Sequence, residues 1–187
     1  MKTTSIVKIM FGLVLAVFPG ILNVYGENTR SAKINVNLII DGSGAFSETA
    51  GEAANWVSQN IIDELLITGD TITVWSAGKE AKIVCSENIK NDADKESVKR
   101  AIRGLSPAGD GADFSGALRE AVSRASSSGI SYTLLISSSA AALTPTLLGP
   151  QADLMRFSRI EEFRGWQALV IGLNLESKIR QAAAAFM

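Results

Sequence analysis

The run Ile34-Asn35-Val36-Asn37-Leu38-Ile39-Ile40 stops abruptly at Asp41-Gly42-Ser43-Gly44-Ala45. An apolar, β-branched run ending in an Asp-Gly turn predicts a strand that delivers a polar loop to one edge of a sheet. The rest of the chain constrains the sheet further. Short apolar runs alternate with segments of helical period, the pattern of an α/β domain. Ser47 to Leu66 is expected as a helix, with Ala50, Ala54, Val57, Ile61 and Leu65 on one face and Thr49-x-x-Glu52 resembling a capping box. After a Gly69-Asp70 turn, Thr71 to Ala77 is the second strand. Gly78-Lys79-Glu80 joins it to Ala81–Cys85 as a hairpin, which makes that third strand an antiparallel edge.

Asp94 to Leu105 carries Val98, Ala101, Ile102 and Leu105 at amphipathic spacing. A Gly-rich loop, Ser106 to Asp113, follows, and Asp113 is placed to cap a helix bearing Leu118, Ala121, Val122 and Ala125 that stops near Gly129. Tyr132 to Ile136 and Gln167 to Leu173 are continuous apolar runs suited to covered strands, and Leu175 to Phe186 is a closing helix. Between them, Gln151 to Ser158 is expected as a short helix. Glu161, Glu162, Arg156, Arg159 and Arg164 form a mixed-charge patch around Phe157 and Phe163, expected as a solvated helix or loop face, with a charged docking patch as the alternative. The expected fold is α/β: a doubly wound, mostly parallel sheet flanked by helices, with one antiparallel edge strand.

Residues 1–26 have the features of an export signal: Lys2 and Lys8, an apolar stretch from Ile9, a Pro19-Gly20 break, and Val24-Tyr25-Gly26 for a signal peptidase. The alternative is an uncleaved anchor, although Ile9 to Tyr25 lies at the short limit of the roughly 17–25 residues a span needs. Residues 27–33 are then a linker and 34–187 a single domain, exported to a periplasm or cell exterior in a bacterium and without a membrane span after cleavage. The only cysteine, Cys85, is far from the cleavage site, which excludes a lipoprotein, and being alone it excludes an intrachain disulfide. It is expected as a buried small hydrophobe. The formal net charge of −1, with no basic stripe, argues against nucleic acid as a partner. The absence of histidine removes Ser-His and Cys-His nucleophile systems and His-ligated zinc.

Element order and three loop stretches resemble a von Willebrand factor type A domain over roughly residues 34–186. That family's first loop has the pattern Asp-x-Ser-x-Ser. Asp41 and Ser43 match it, and Ala45 stands at the third position. The stretch Gly109-Asp110-Gly111-Ala112-Asp113-Phe114-Ser115-Gly116-Ala117-Leu118 is similar to the family's second loop and helix start, with Ala112 at the Thr ligand. Leu134-Leu135-Ile136-Ser137-Ser138-Ser139 occupies the place of a strand ending in Thr-Asp-Gly, so Ser138 replaces a carboxylate. The resemblance implies that these loops meet at the carboxyl edge of the sheet. It also implies a degenerate metal site. Mg²⁺ demands near-octahedral oxygen coordination, so each missing ligand counts. No cofactor is expected, and Asp41 and Ser43 are expected as vestigial ligands whose hydrogen bonds hold the loop's shape.

Three functional readings follow. The first is an exported, non-catalytic module that binds another protein or assembles with it, with Leu147 and Leu148 between Pro145 and Pro150 as partner-binding candidates. The second is a metal-dependent adhesion module using Mg²⁺ or another divalent cation, in which Asp110, Asp113 or Ser138 substitutes for lost ligands. The third, a hydrolase, is disfavoured. Gly42-Ser43-Gly44 falls short of Gly-x-Ser-x-Gly, an aspartyl-phosphate motif would need a second Asp at Ser43, and no P-loop or dinucleotide fingerprint follows a strand.

Overall fold

The computed structural model describes residues 30–125, 130–139 and 158–171, together with residue 184. The export signal, Leu147, Leu148 and the closing helix expected over Leu175–Phe186 lie outside the described residues, apart from residue 184 itself, which is helical.

Six strands form one sheet in the order β3-β2-β1-β4-β6-β5. They are β1 (Ile34–Asp41), β2 (Thr71–Ala77), β3 (Ala81–Asn88), β4 (Ile130–Ser138), β5 (Ser158–Glu162) and β6 (Trp166–Ile171). β1 pairs in parallel with both β2 and β4, and β3 is the antiparallel edge. The other end departs from expectation. β6 runs antiparallel to β4 and β5 returns antiparallel to β6, so the sheet holds a second reversed strand. Strand direction is a property of pairing, and nothing local in Gln167 to Ile171 reports it.

β5 also corrects the expected solvated helix or loop face. Glu161 and Glu162 lie on a strand, and Phe163 is buried beneath the tight connection to β6. That connection turns at Gly165, whose φ of 85° suits glycine. Phe163 stacks on Trp166 with centroids 3.8 Å apart, and Trp56 meets both rings edge-on at 5.3 and 5.6 Å.

Alternation along β1 divides the core into two layers. Ile34, Val36, Leu38 and Ile40 face α1 (Ala50–Val57) and α2 (Asp92–Arg103). Ile39 faces α3 (Phe114–Ala125) on the other side, with Trp75, Leu135, Ala117 and Leu118. α1 continues into a π-helical turn over Ser58–Asp63, where Glu64 and Leu66 donate to carbonyls five residues back at 3.1 Å.

The capping box expected at Thr49 does not form. The chain enters α1 from a 3₁₀ turn at Gly44–Phe46, which leaves Thr49 with near-helical backbone (φ −105°, ψ −6°) rather than the extended conformation a cap needs. Its hydroxyl donates to the Phe46 carbonyl instead. A full capping box is present at α2. Asn91 accepts from Ala93 N–H at 2.8 Å, and Asp94 Oδ2 accepts from Asn91 N–H at 3.0 Å.

At the amino end of the sheet, Asp70 is fully buried. Its carboxylate accepts from Ile34 N–H at 3.0 Å and Ile67 N–H at 2.8 Å, and it forms a two-bond ion pair with Arg30. The expected turn residue is thus a latch between β1, the loop before β2 and the segment leading in.

Candidate functional site

Asp41 ends β1 and Ser138 ends β4, and these strands are in register through Ile40 and Ile136. The polar residues after that apolar pair therefore converge. The sheet order also reverses here: the chain moves from β1 outward to β2 and β3, then returns to β4 on the other side of β1. Open α/β sheets place their ligand crevice at such a switch point.

Asp41 is only 1% exposed, and its carboxylate is occupied from within. Oδ1 accepts from Ser43 N–H at 2.8 Å. Oδ2 accepts from the Ser137 hydroxyl at 2.7 Å and, more weakly, from Ser138 N–H at 3.4 Å. Ser43, Ser137 and Ser138 are buried with it. Ser137 was not singled out from sequence. The signal that points to it is register, since it follows the strand residue opposite Ile40.

The loop after Asp41 is braced on both sides. Gly42 N–H donates to the Ala77 carbonyl at 2.9 Å, and the Gly42 carbonyl accepts from Ala108 N–H at 2.9 Å. Gly44 N–H donates to the Gly109 carbonyl at 2.8 Å. Asp113 N–H donates to the Gly78 carbonyl at 2.8 Å, which ties the Gly-rich loop to the β2–β3 hairpin. Gly42 permits this close approach. A Cβ there would lie 2.7 Å from Ser76 Oγ and 2.9 Å from Gly78 N.

The other acidic residues have different surroundings. Asp113 Oδ1 accepts from Gly116 N–H at 2.8 Å, capping α3. Asp110 is exposed, and its backbone lies between Gly109 and Gly111, which both have positive φ. Among the described residues, no group of three or more Cys, Asp or Glu side chains is placed to hold a metal ion.

Solved structures with a related chain path were found. A von Willebrand factor type A protein from Catenulispora acidiphila matches 48% of this chain and 22% of its own, at 19% identity and a TM-score of 0.40. The vWF domain of the type V pili tip protein Mfa5 from Porphyromonas gingivalis matches 60% of this chain and 43% of its own, at 17% identity and a TM-score of 0.43. The pilus adhesin SpaC from Lactobacillus rhamnosus GG, in an open conformation, matches 60% of this chain and 16% of its own, at 16% identity and a TM-score of 0.47. The chain is similar to von Willebrand factor type A domains. It spans less than half of each of these three proteins. No family model matches the chain, and no curated protein matches it.

Ala45 is exposed and Ala112 is half-buried against the α3-side core. Cys85, expected to be buried, is half-buried on β3, because an edge strand has a neighbour on one side only. Burial pushes its thiol above the usual range, with Glu87 adding to the effect, so it is poorly ionised at neutral pH. Among the described residues, no helix is long and apolar enough to cross a membrane.

Proposed function

We propose that this protein is an exported, non-catalytic binding or assembly module whose loop edge is held in shape by Asp41 rather than by a metal ion. The observation that carries this reading is that the buried Asp41 carboxylate is engaged from within by Ser43, Ser137 and Ser138. Two short bonds and one long one at 3.4 Å take most of the carboxylate's roughly four lone-pair sites, and the carboxylate is almost wholly removed from solvent. Ala45 and Ala112 supply no oxygen from their side chains, and Asp113 is engaged as a helix cap. The residues therefore do not fit Mg²⁺.

The braced loops give a preformed polar edge, with Ala45, Ser47, Ser106, Ala108 and Asp110 exposed, which suits contact with another protein. Among the described residues, the candidate nucleophiles lack an activating base. The chain has no histidine, Ser137 is buried against a carboxylate it already bonds, and the Cys85 thiol is held protonated.

Melting curves of the purified protein in Mg²⁺, Mn²⁺, Ca²⁺ and EDTA test this. Superimposed curves are expected. A ligand at about a hundred times its Kd would stabilise by roughly 2.7 kcal/mol. A rise of several degrees that disappears in Asp110→Ala would instead support a metal-dependent module with a substituted ligand set. Asp110 is favoured for that role because it is exposed and adjoins Gly109, which bonds the Asp41 loop.

A further inference from the structure

β3 ends the sheet, so one of its two edges has no strand beside it among the described residues. Its eight residues exceed the roughly 5–6 usual for a strand, a long edge to leave unpaired. Ile83 on it is 40% exposed, and Val84 and Cys85 are half-buried. Charges flank this apolar centre, at Lys82 and Glu87. Neither makes a salt bridge among the described residues. Five residues apart, the two would point to opposite faces of a regular strand. A bulge brings them to one face. Cys85 pairs with Val74 and Ile83 with Trp75, so Val84 is an extra residue. Lys82 then stands opposite Ser76 and Glu87 opposite Ile72, which lie four residues apart on β2 and so on the same side of the sheet.

We infer that β3 pairs antiparallel with β3 of a second copy of this chain, joining two sheets into one about a two-fold axis between Val84 and Cys85. The charge pattern selects that occupant. In this register Lys82 lies opposite Glu87 of the second copy, and Glu87 opposite its Lys82, so one strand sequence supplies two cross-strand ion pairs. Ile83 meets Ser86 and Val84 meets Cys85, which closes an apolar centre with a charged rim. A two-fold axis perpendicular to the sheet keeps every residue on its own face, and the bulge is what gives both members of each pair the same face. A bulge discourages pairing with a regular strand, whereas a second copy carries the same extra residue and stays in step on both sides of the axis. The interface is separate from the Asp41 network and does not depend on the function proposed above. Antiparallel pairing also turns the second copy end for end, which sets the two loop edges at opposite ends of the joined sheet.

Sedimentation equilibrium of the purified protein, up to a concentration of about 500 µM, tests the assignment. A monomer–dimer equilibrium is expected within that range, because a single-strand interface belongs with the small, weak class. It should weaken as salt is raised. Lys82→Glu and Glu87→Lys each turn two attractive pairs into two repulsive ones, and each is expected to weaken the dimer by about tenfold or more. Mixed in equal amounts, the two variants regain both attractive pairs and are expected to associate as tightly as the parent. Monomer at every concentration would overturn the proposal. So would a dimer that neither variant weakens, or a mixture that stays monomeric. Species larger than a dimer would overturn the closed two-fold pairing.

Discussion

The Ser137 hydroxyl donates to Asp41 Oδ2 at 2.7 Å, joining the ends of β4 and β1 across 96 residues of sequence. The bond ties the two strands together at the point where the sheet order reverses.

Removing the acceptor should therefore cost more than removing the donor. Asp41→Ala leaves buried donors at Ser43, Ser137 and Ser138 short of a partner and is expected to lose about 3 kcal/mol in urea unfolding. Ser137→Ala removes one bond to the charged carboxylate and is expected to lose about 1.5 kcal/mol. The double variant should fall short of the sum by about 1 kcal/mol, since both changes delete one shared contact. Simple additivity would mean that the two residues are not coupled.

Two glycines should respond oppositely to the same substitution. Gly42→Ala places a methyl 2.9 Å from Gly78 N and 3.0 Å from Gly78 Cα, backbone that cannot step aside. A loss of about 2 kcal/mol is expected. Gly51→Ala meets open space on α1 and should gain up to about 1 kcal/mol. Paired melting curves compare the two directly.

The amino-end latch is expected to be as important to stability as the loop. Arg30→Met leaves the Asp70 carboxylate fully buried with only backbone donors, at a cost of about 3 kcal/mol. Amide exchange at Ile34 and Ile67 should accelerate in Asp70→Asn, because their hydrogen bonds to a charged acceptor are weakened. Unchanged exchange would show that these amides are protected by something else.

Lys99 on α2 should make stability sensitive to alkaline pH. Its hydrogen bonds to Glu96, and secondarily to Asp63, raise its pKa above the ordinary lysine value of 10.5. A group whose folded pKa is raised stabilises fully below its unfolded value and loses that contribution as pH climbs through the folded value. Lys99→Met should therefore be less stable than the parent at pH 7, with the difference shrinking above about pH 10.5. A constant difference from pH 7 to 11 would contradict the pairing.

Elements whose signals are local were legible in the sequence. β1, the β2–β3 hairpin, α2, α3 and β4 fall close to their expected places, because apolar period and turn chemistry are written in neighbouring residues. Helix ends were less visible: Thr49 looked like a cap while Asn91 is one, since capping depends on backbone angles set by the preceding turn. β5 was hidden because Glu161 and Glu162 sit side by side and break the alternation expected of a strand. At the site, Asp41 and Ser43 stood out by motif. Ser137 and Asp70 did not, because their partners lie 96 and up to 40 residues away and only the folded register brings them together.

Asp70 holds the start of β1 and Asp41 closes its end. Eight strand residues, at about 3.3 Å each, put the two anchors roughly 25 Å apart. Chain upstream of Arg30 is thus joined at one pole of the domain while the braced loops occupy the other. A tether attached through that upstream chain would pull on the pole opposite the braced loops, giving the described sheet a fixed front and back.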